Sequence, residues 1–295
     1  RNIAKELNIS TATVYRWLFL TGLGCKDTIQ VARELKPHWS GYLSIDGKSI
    51  FIFGIEHILL LACDIKTLDI VHARLVSCED YKYFKQFLNE LKYQIKYPLK
   101  VVTIDIRRGL IKAMKEIFPK VPVQVCVIHL SRQLDQRLPK GKKRSRFKIQ
   151  NKELRELLRN ILFAQNPREA EMEFNILKAK EQGYQTKAQR SVIKMIKRNF
   201  PLFTTHFSCP GLPRDNNIIE NIIKQLNRKL KLIGGFRTSE SAWAIIKLLI
   251  INYRFKSFTD CKLNNRHFNG KSPLEISGVN ISDTDWLTYS QAQLT

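Results

Sequence analysis

Three carboxylates set the chemistry to be considered. Asp46 follows the apolar run Tyr42 to Ile45, Asp105 ends the run that starts at Val101, and Glu220 lies on an amphipathic stretch from about Asp215 to Leu232. Two strands of one sheet that end in acids set both carboxylates on one edge, where hard divalent ions take oxygen ligands. On the helical stretch, Ile219, Ile222, Ile223, Leu226, Leu230 and Ile233 form an apolar stripe. A turn of about 100° per residue sets Glu220 just off that stripe, at a seam between helix and sheet. Asn216, Lys224, Asn227 and Lys231 fall near the same angle, as a polar, basic strip suited to DNA phosphates. Each acid also has a plainer reading. Asp46 before Gly47 makes a turn, Asp105 caps the helix after it, and Glu220 with Lys224 is an i,i+4 surface pair.

The elements that must position these residues follow from periodicity. Tyr42 to Ile45, Ser49 to Phe53, Ile58 to Cys63 and Ile70 to Leu75 read as a strand meander with a turn at Asp46-Gly47. A helix from Glu79 or Asp80 to about Lys96, a strand Val101 to Ile106, a helix Leu110 to Phe118 and a strand Val121 to Ile128 complete an α/β fold with a sheet of mixed direction. Residues 131–208 read as helical throughout, an all-helical insertion before the long helix that carries Glu220. At the front, Ser10 or Thr11 opens a second helix after a turn at Asn8 to Ser10, with Ile3, Ala4, Leu7, Ile9 and Val14 as a small core. This is a helix-turn-helix pattern, whose second helix would present Thr11, Thr13 and Arg16 to a major groove. The expected organisation is therefore 1–22 helix-turn-helix, 23–40 linker, 41–130 first part of the core, 131–208 insertion, 209–258 second part of the core, and 259–295 a loop-rich tail. The chain opens at Arg1 inside an expected helix, and a start truncated before it is the expectation.

Composition narrows the partner. Fifty Lys and Arg stand against 26 Asp and Glu, and the net charge of +24 favours nucleic acid. The basic loop Arg137 to Lys148, with Lys142, Lys143, Arg144 and Arg146, adds phosphate-binding positions. Charge alone fits a non-catalytic binder equally well. Charges interrupt every apolar run, so no membrane span is expected, and scattered cysteines indicate reduced thiols in a cytoplasm.

Cys126 and His129 have ligand-like spacing, and His206 with Cys209 forms a second such pair, which together would make a closed zinc site. A structural or DNA-positioning role in the wall of the active site is the favoured reading of Cys126 and His129, with plain packing of a buried thiol as the alternative. Taken in order, Ser44-Ile45-Asp46-Gly47-Lys48, Thr103-Ile104-Asp105, Gln124-Val125-Cys126-Val127-Ile128-His129 and Asp215-Asn216-Asn217-Ile218-Ile219-Glu220-Asn221 resemble the Mutator-like group of DDE transposases, including bacterial and archaeal insertion-sequence enzymes. The run Leu232-Ile233-Gly234-Gly235-Phe236-Arg237 is similar as well, and the resemblance covers roughly residues 40–275.

The resemblance implies an RNase H-like core whose triad Asp46, Asp105 and Glu220 binds two Mg²⁺ or Mn²⁺ ions. One ion would activate water or a DNA 3′-hydroxyl, and the other would stabilise the leaving oxygen of an in-line phosphoryl transfer. It implies double-stranded DNA partners, namely transposon ends and target, a homo-oligomer assembled on DNA, and a nucleoid-associated place in a prokaryotic cytoplasm. One departure is Ile106-Arg107-Arg108-Gly109 after the second acid, where similar enzymes carry a small residue, so that crowding of the ions is expected. That crowding favours the alternative, a catalytically inactive transposase-derived DNA-binding protein. A cellular ribonuclease of the same fold fits less well, given the helix-turn-helix and the insertion.

If the basic loop binds phosphate, replacing Lys142, Lys143, Arg144 and Arg146 together by Gln should flatten the salt dependence of DNA binding. Each phosphate no longer neutralised lowers the slope of log affinity against log salt by about 0.9. An unchanged slope would make the loop a solvated surface.

Overall fold

The computed structural model describes residues 2–138 and 146–291. Lys142, Lys143 and Arg144 lie outside the described residues, as does the side chain of Arg146. Two helices open the chain, α1 (Asn2–Glu6) and α2 (Thr11–Leu23), joined through Asn8 at φ 49°. Ser10 caps α2, its hydroxyl accepting from the Thr13 N–H at 3.0 Å. Of the expected small core, Ala4 is buried, whereas Ile3 and Leu7 are exposed, because the single-turn α1 covers little of α2. The anchor of α2 lies at its other end. A Cβ on Gly22 would stand 2.4 Å from the carbonyl oxygen of Ala244, so only glycine permits that approach.

Residues 23–40, expected as a linker, contain α3 (Thr28–Leu35). It starts with a capping box in which Asp27 accepts from Gln30 N–H and the Gln30 side chain accepts from Asp27 N–H.

The sheet has five strands in the order β3-β2-β1-β4-β5: β1 (Tyr42–Ile52), β2 (Ile55–Asp64), β3 (Ile70–Val76), β4 (Val101–Ile104) and β5 (Val123–Val125). The β1–β2 and β2–β3 pairs are antiparallel, and the β1–β4 and β4–β5 pairs are parallel, so the fold is α/β with a mixed sheet. The expected turn at Asp46-Gly47 does not form. Asp46 and Gly47 pair with Leu61 and Leu60, so ladder bonds hold them in one long strand. The reversal comes at Phe53 and Gly54, both at positive φ. Asp46 is thus in the middle of β1 and not at its end.

The remaining elements are α4 (Tyr81–Asn89), continued by a π turn at Glu90–Gln94, then α5 (Arg108–Ile117), α6 (Val127–Arg137), α7 (Arg146–Phe163), α8 (Pro167–Lys180), α9 (Lys187–Phe203), α10 (Asn217–Ile233), α11 (Ser239–Phe255), α12 (Pro273–Ile276) and α13 (Trp286–Gln291). Strand alternation sorts them into layers. Leu43, Ile45, Leu60, Val102, Ile104 and Val125 face Phe84, Phe87, Met114, Leu130 and Leu158 of the helices on one side. Ile50, Ile52, Leu59 and Leu61 face Ile219, Ile222 and Leu226 of α10 and Ile245 and Ile246 of α11 on the other. The tail is less loop-like than expected, since Leu274 and Ile281 pack on Cys25, Val31 and Leu248. No helix among the described residues is long and apolar enough to cross a membrane.

α11 is tied to the sheet by charge as well as by apolar burial. Arg254 donates from Nε and Nη2 to the two oxygens of Asp69, each at 2.7 Å, with both side chains wholly buried. Asp69 also accepts from Trp39 Nε1 at 2.9 Å. Arg254→Met leaves a buried carboxylate without its cation, and should cost about 3–5 kcal/mol. The shift in denaturant midpoint reads that cost, and a destabilisation below about 1 kcal/mol would mean that Asp69 finds water or another cation.

Candidate active site

A row of polar side chains crosses β1, β4 and β5 on the face that α10 covers. Ser44, Thr103 and Gln124 are register partners, one in each of β1, β4 and β5, and all are buried. Their apolar neighbours in the strands turn to the opposite core. A buried hydroxyl or amide is costly unless bonded, and the segment between α9 and α10 supplies the partners. Thr103 Oγ1 donates to the carbonyl of Pro213 at 3.4 Å, and Gln124 Nε2 donates to Phe203 O at 2.9 Å and Arg214 O at 3.4 Å. The His206 N–H donates to Gln124 Oε1 at 2.9 Å. Ser44 Oγ donates to Asn216 Oδ1 at 2.8 Å, while Asn216 Nδ2 donates to Ile45 O at 3.1 Å and its N–H to Cys126 Sγ at 3.3 Å.

The acids stand one step beyond this row. Asp46 and Asp105 occupy the next same-face positions after Ser44 and Thr103, where the β1–β4 pairing ends at Ile45 and Ile104. Asn216 occupies the cap position of α10, and its carbonyl accepts from the Glu220 N–H at 3.0 Å, so the bonds that hold Asn216 to β1 set Glu220 in the first turn above Asp46. Ligand atoms of Asp46, His129 and Glu220 lie within 4.8 Å of one another. Asp105 joins through His129, whose Nδ1 is 3.7 Å from Asp105 Oδ1 and whose Nε2 is 3.8 Å from Glu220 Oε1. Both separations exceed a hydrogen bond, and His129 Nδ1 is buried with no partner among the described residues. Clustered carboxylates and an unpartnered imidazole nitrogen are a donor set that fits divalent cations.

Each acid is held separately. Asp46 accepts from the Gly47 N–H at 2.9 Å, and Asp105 accepts from Ile106 N–H and, at 3.1 Å, from Arg107 Nε. Arg132 Nη1 and Nη2 face the two oxygens of Glu220 at 3.3 and 3.4 Å. Burial pushes the Asp46 carboxyl up to about 6; His129 and the Gly47 N–H pull it down, while Asp105 and Glu220 push it up. A fourth acid, Glu79, is also raised by burial, against the pull of Arg107, whose Nη2 lies 3.0 Å from Glu79 Oε2. Gly47 makes room for it, since a Cβ there would lie 2.7 Å from Glu79 Oε1.

Several expectations change here. His129, expected in the wall, is central to the cluster, and Cys126 is not in a strand but caps α6, its thiol accepting from Asn216. Asn216 is wholly buried, so it does not belong to the basic strip on α10, whereas Lys224 and Lys231 are exposed. Ile106 does not crowd the acids, because its side chain packs in the core with Leu110 and Met114. Among the described residues the only candidate metal cluster is Asp46, His129 and Glu220, so Cys126, His129, His206 and Cys209 form no zinc site. Thr11 and Arg16 are exposed on α2, and Thr13 is half-buried, its hydroxyl 2.9 Å from that of Ser10. Glu79, Arg107 and Arg132 were not legible as site residues. The polar row was announced by a single polar residue inside each of three apolar runs, Leu43-Ser44-Ile45, Val102-Thr103-Ile104 and Val123-Gln124-Val125.

Acids thus gather at the rim of a mixed sheet, beside a helix that returns after a helical excursion, in an α/β protein. The family model described as "Transposase, Mutator family" matches residues 64–257, about two thirds of the chain, and the chain belongs to that family. Asp105, His129 and Glu220 lie inside the matched stretch, and Asp46 lies before it. The chain is similar to the transposase for insertion sequence element ISRM3 of Rhizobium meliloti (strain 1021), 25% identical over 178 residues, covering 59% of this chain and 42% of that protein. It is also similar to a probable transposase for an ISRM3-like element of Sinorhizobium fredii (strain NBRC 101917 / NGR234), 24% identical over 190 residues, covering 63% of this chain and 45% of the relative. The matched stretch spans less than half the length of either relative.

Asp46 makes the stability of the fold depend on pH. A carboxyl whose folded value is raised to about 6 disfavours the metal-free fold once pH exceeds the ordinary carboxylate value, and the penalty grows until pH passes about 6. In chelator, Asp46→Asn should therefore raise the melting temperature at pH 7.5 and leave it nearly unchanged at pH 4. An equal shift at both pH values would place the effect outside Asp46 ionisation.

Proposed function

We propose that the chain is a DDE transposase that cuts and joins DNA strands at transposon ends, with Asp46, Asp105 and Glu220 as its metal-binding triad on an RNase H-like core. The observation that carries this reading is the approach of Asp46, Glu220 and His129 to within 4.8 Å at the rim where Asp105 also emerges. Two Mg²⁺ or Mn²⁺ ions held by the three acids would supply the Lewis acidity that in-line transfer at a phosphodiester requires. The chain's own part is orientation. Backbone N–H groups and Arg107 fix the two aspartates, and Asn216 fixes the helix of Glu220. His129 fits a fourth ligand or a holder of the carboxylates on either side of it.

Double-stranded DNA is the proposed substrate. Lys224 and Lys231 are exposed, four and eleven positions after Glu220 on the same side of α10, and they would carry phosphates past the acids. The α1–α2 pair is proposed as a helix-turn-helix, with Thr11, Thr13 and Arg16 toward the groove. Residues 131–208 would form an insertion within a core made of 41–130 and 209–258, and the assembly on DNA would be a homo-oligomer. The inactive, binding-only alternative loses support from the packing of Ile106 away from the acids.

Asp46→Asn, Asp105→Asn and Glu220→Gln should each abolish divalent-ion-dependent strand cleavage of DNA carrying the element's ends, a loss of at least about a thousandfold, while DNA affinity stays within a few-fold. Near-normal cleavage by any one of them removes that residue from the triad. Absence of cleavage by the unaltered chain, with intact binding, would favour the binding-only reading.

A further inference from the structure

Two arginines flank the acid cluster, and they are not equivalent. Arg107 bridges two carboxylates, Asp105 at 3.1 Å and Glu79 at 3.0 Å, so it keeps an anionic partner if Asp105 turns away. Arg132 faces Glu220 alone among the described residues. Its separations of 3.3 and 3.4 Å are longer than the 2.7–2.9 Å of a tight guanidinium–carboxylate fork. The Arg132 side chain is more than half exposed, whereas that of Glu220 is largely covered, so the arginine roofs the site from the solvent side. His129 and Arg132 stand three residues apart on α6, which places both on one side of that helix, over the acids.

We propose that Arg132 is a phosphate-binding residue: it neutralises Glu220 in the DNA-free protein, then passes to a non-bridging oxygen of the DNA backbone when Glu220 turns to a divalent ion. The inference rests on the reading of Glu220 as a metal ligand. A carboxylate engaged with a cation releases the arginine, and the freed planar donor set, already over the site and open to solvent, matches a phosphate. No covalent bond is made or broken in this exchange.

The test is a salt titration of full-chain binding to a fluorescent DNA duplex, in Ca²⁺ and in chelator, for the unaltered chain, Arg132→Ala, Arg132→Gln, Glu220→Gln and the Arg132→Ala/Glu220→Gln double variant. In Ca²⁺ both Arg132 variants should lower the slope of log affinity against log salt by about 0.9, the value for one neutralised phosphate, and in chelator they should leave it unchanged. In chelator Glu220→Gln frees the arginine and should steepen the slope by a similar amount, a steepening that disappears in the double variant. An unchanged slope for the Arg132 variants in Ca²⁺, or a Glu220→Gln steepening that survives removal of Arg132, overturns the proposal. The triad reading fails on a different result, cleavage that persists without Glu220, so the two failures are distinguishable. The two Arg132 variants differ in size, so a folding defect in one leaves the other to decide.

Discussion

The position of the acids depends on one constraint, the pairing of a buried polar row with a single return segment. Ser44, Thr103 and Gln124 would each be a costly buried group on an otherwise apolar sheet. Apart from the Val125 carbonyl, which accepts from Gln124 Nε2 at 2.8 Å, their side-chain partners come from residues 203–216. Because hydrogen bonds are directional, this segment cannot slide by one residue without orphaning several groups at once. The last of them, Asn216, is also the cap of α10, and its carbonyl receives the Glu220 N–H. A helix that reaches the sheet after the whole helical excursion is thereby indexed to the strand that carries Asp46.

A site so fixed accumulates charge that the fold alone does not relieve. Asp46, Glu79, Asp105 and Glu220 converge on one rim, and mutual repulsion adds to burial in raising Asp46. The answering groups within the described structure are Arg107, Arg132, His129 and backbone N–H groups. A rim of this kind is held together at some expense in stability, which fits a centre completed by cations, and a chain with a net charge of +24 sets it in a field that draws polyanions toward it.

What the sequence revealed and what it hid divide along physical lines. The order of strands and helices was legible because alternation and helical period are local signals, and the stripe Ile219, Ile222, Leu226 and Leu230 packs on the sheet as its spacing suggests. The unbroken course of β1 through Asp46-Gly47 was not legible, since turn chemistry and an extended ladder are both open to that pair, and pairing with Leu60 and Leu61 on β2 decides between them. Asn216 looked like part of a surface strip from its helical angle, but as the cap it stands before the regular helix and turns inward. Ile106 read as an obstruction by size, while the chain just past β4 turns it to the core, away from its neighbour Asp105. Arg132 reaches Glu220, and Glu79 reaches Arg107, only through tertiary approach, which no local period encodes.

The same bonds explain how a long helical excursion leaves the sheet intact. It departs from β5 through Cys126 and α6, and Val127 N–H donates to Arg214 O at 3.1 Å, while it returns through Phe203 and His206, both bonded to Gln124 of β5. Exit and return are therefore clamped at one strand end, and the closure entropy of the intervening chain grows only slowly with its length. The boundary expected at 130 and 131 falls inside α6, a single helix in which His129 precedes that boundary and Arg132 follows it. The excursion is thus not an appendage tethered by loops. Its first helix is a wall of the acid cluster, so a displacement of the helical layer moves His129 and Arg132 directly, without passing through the sheet.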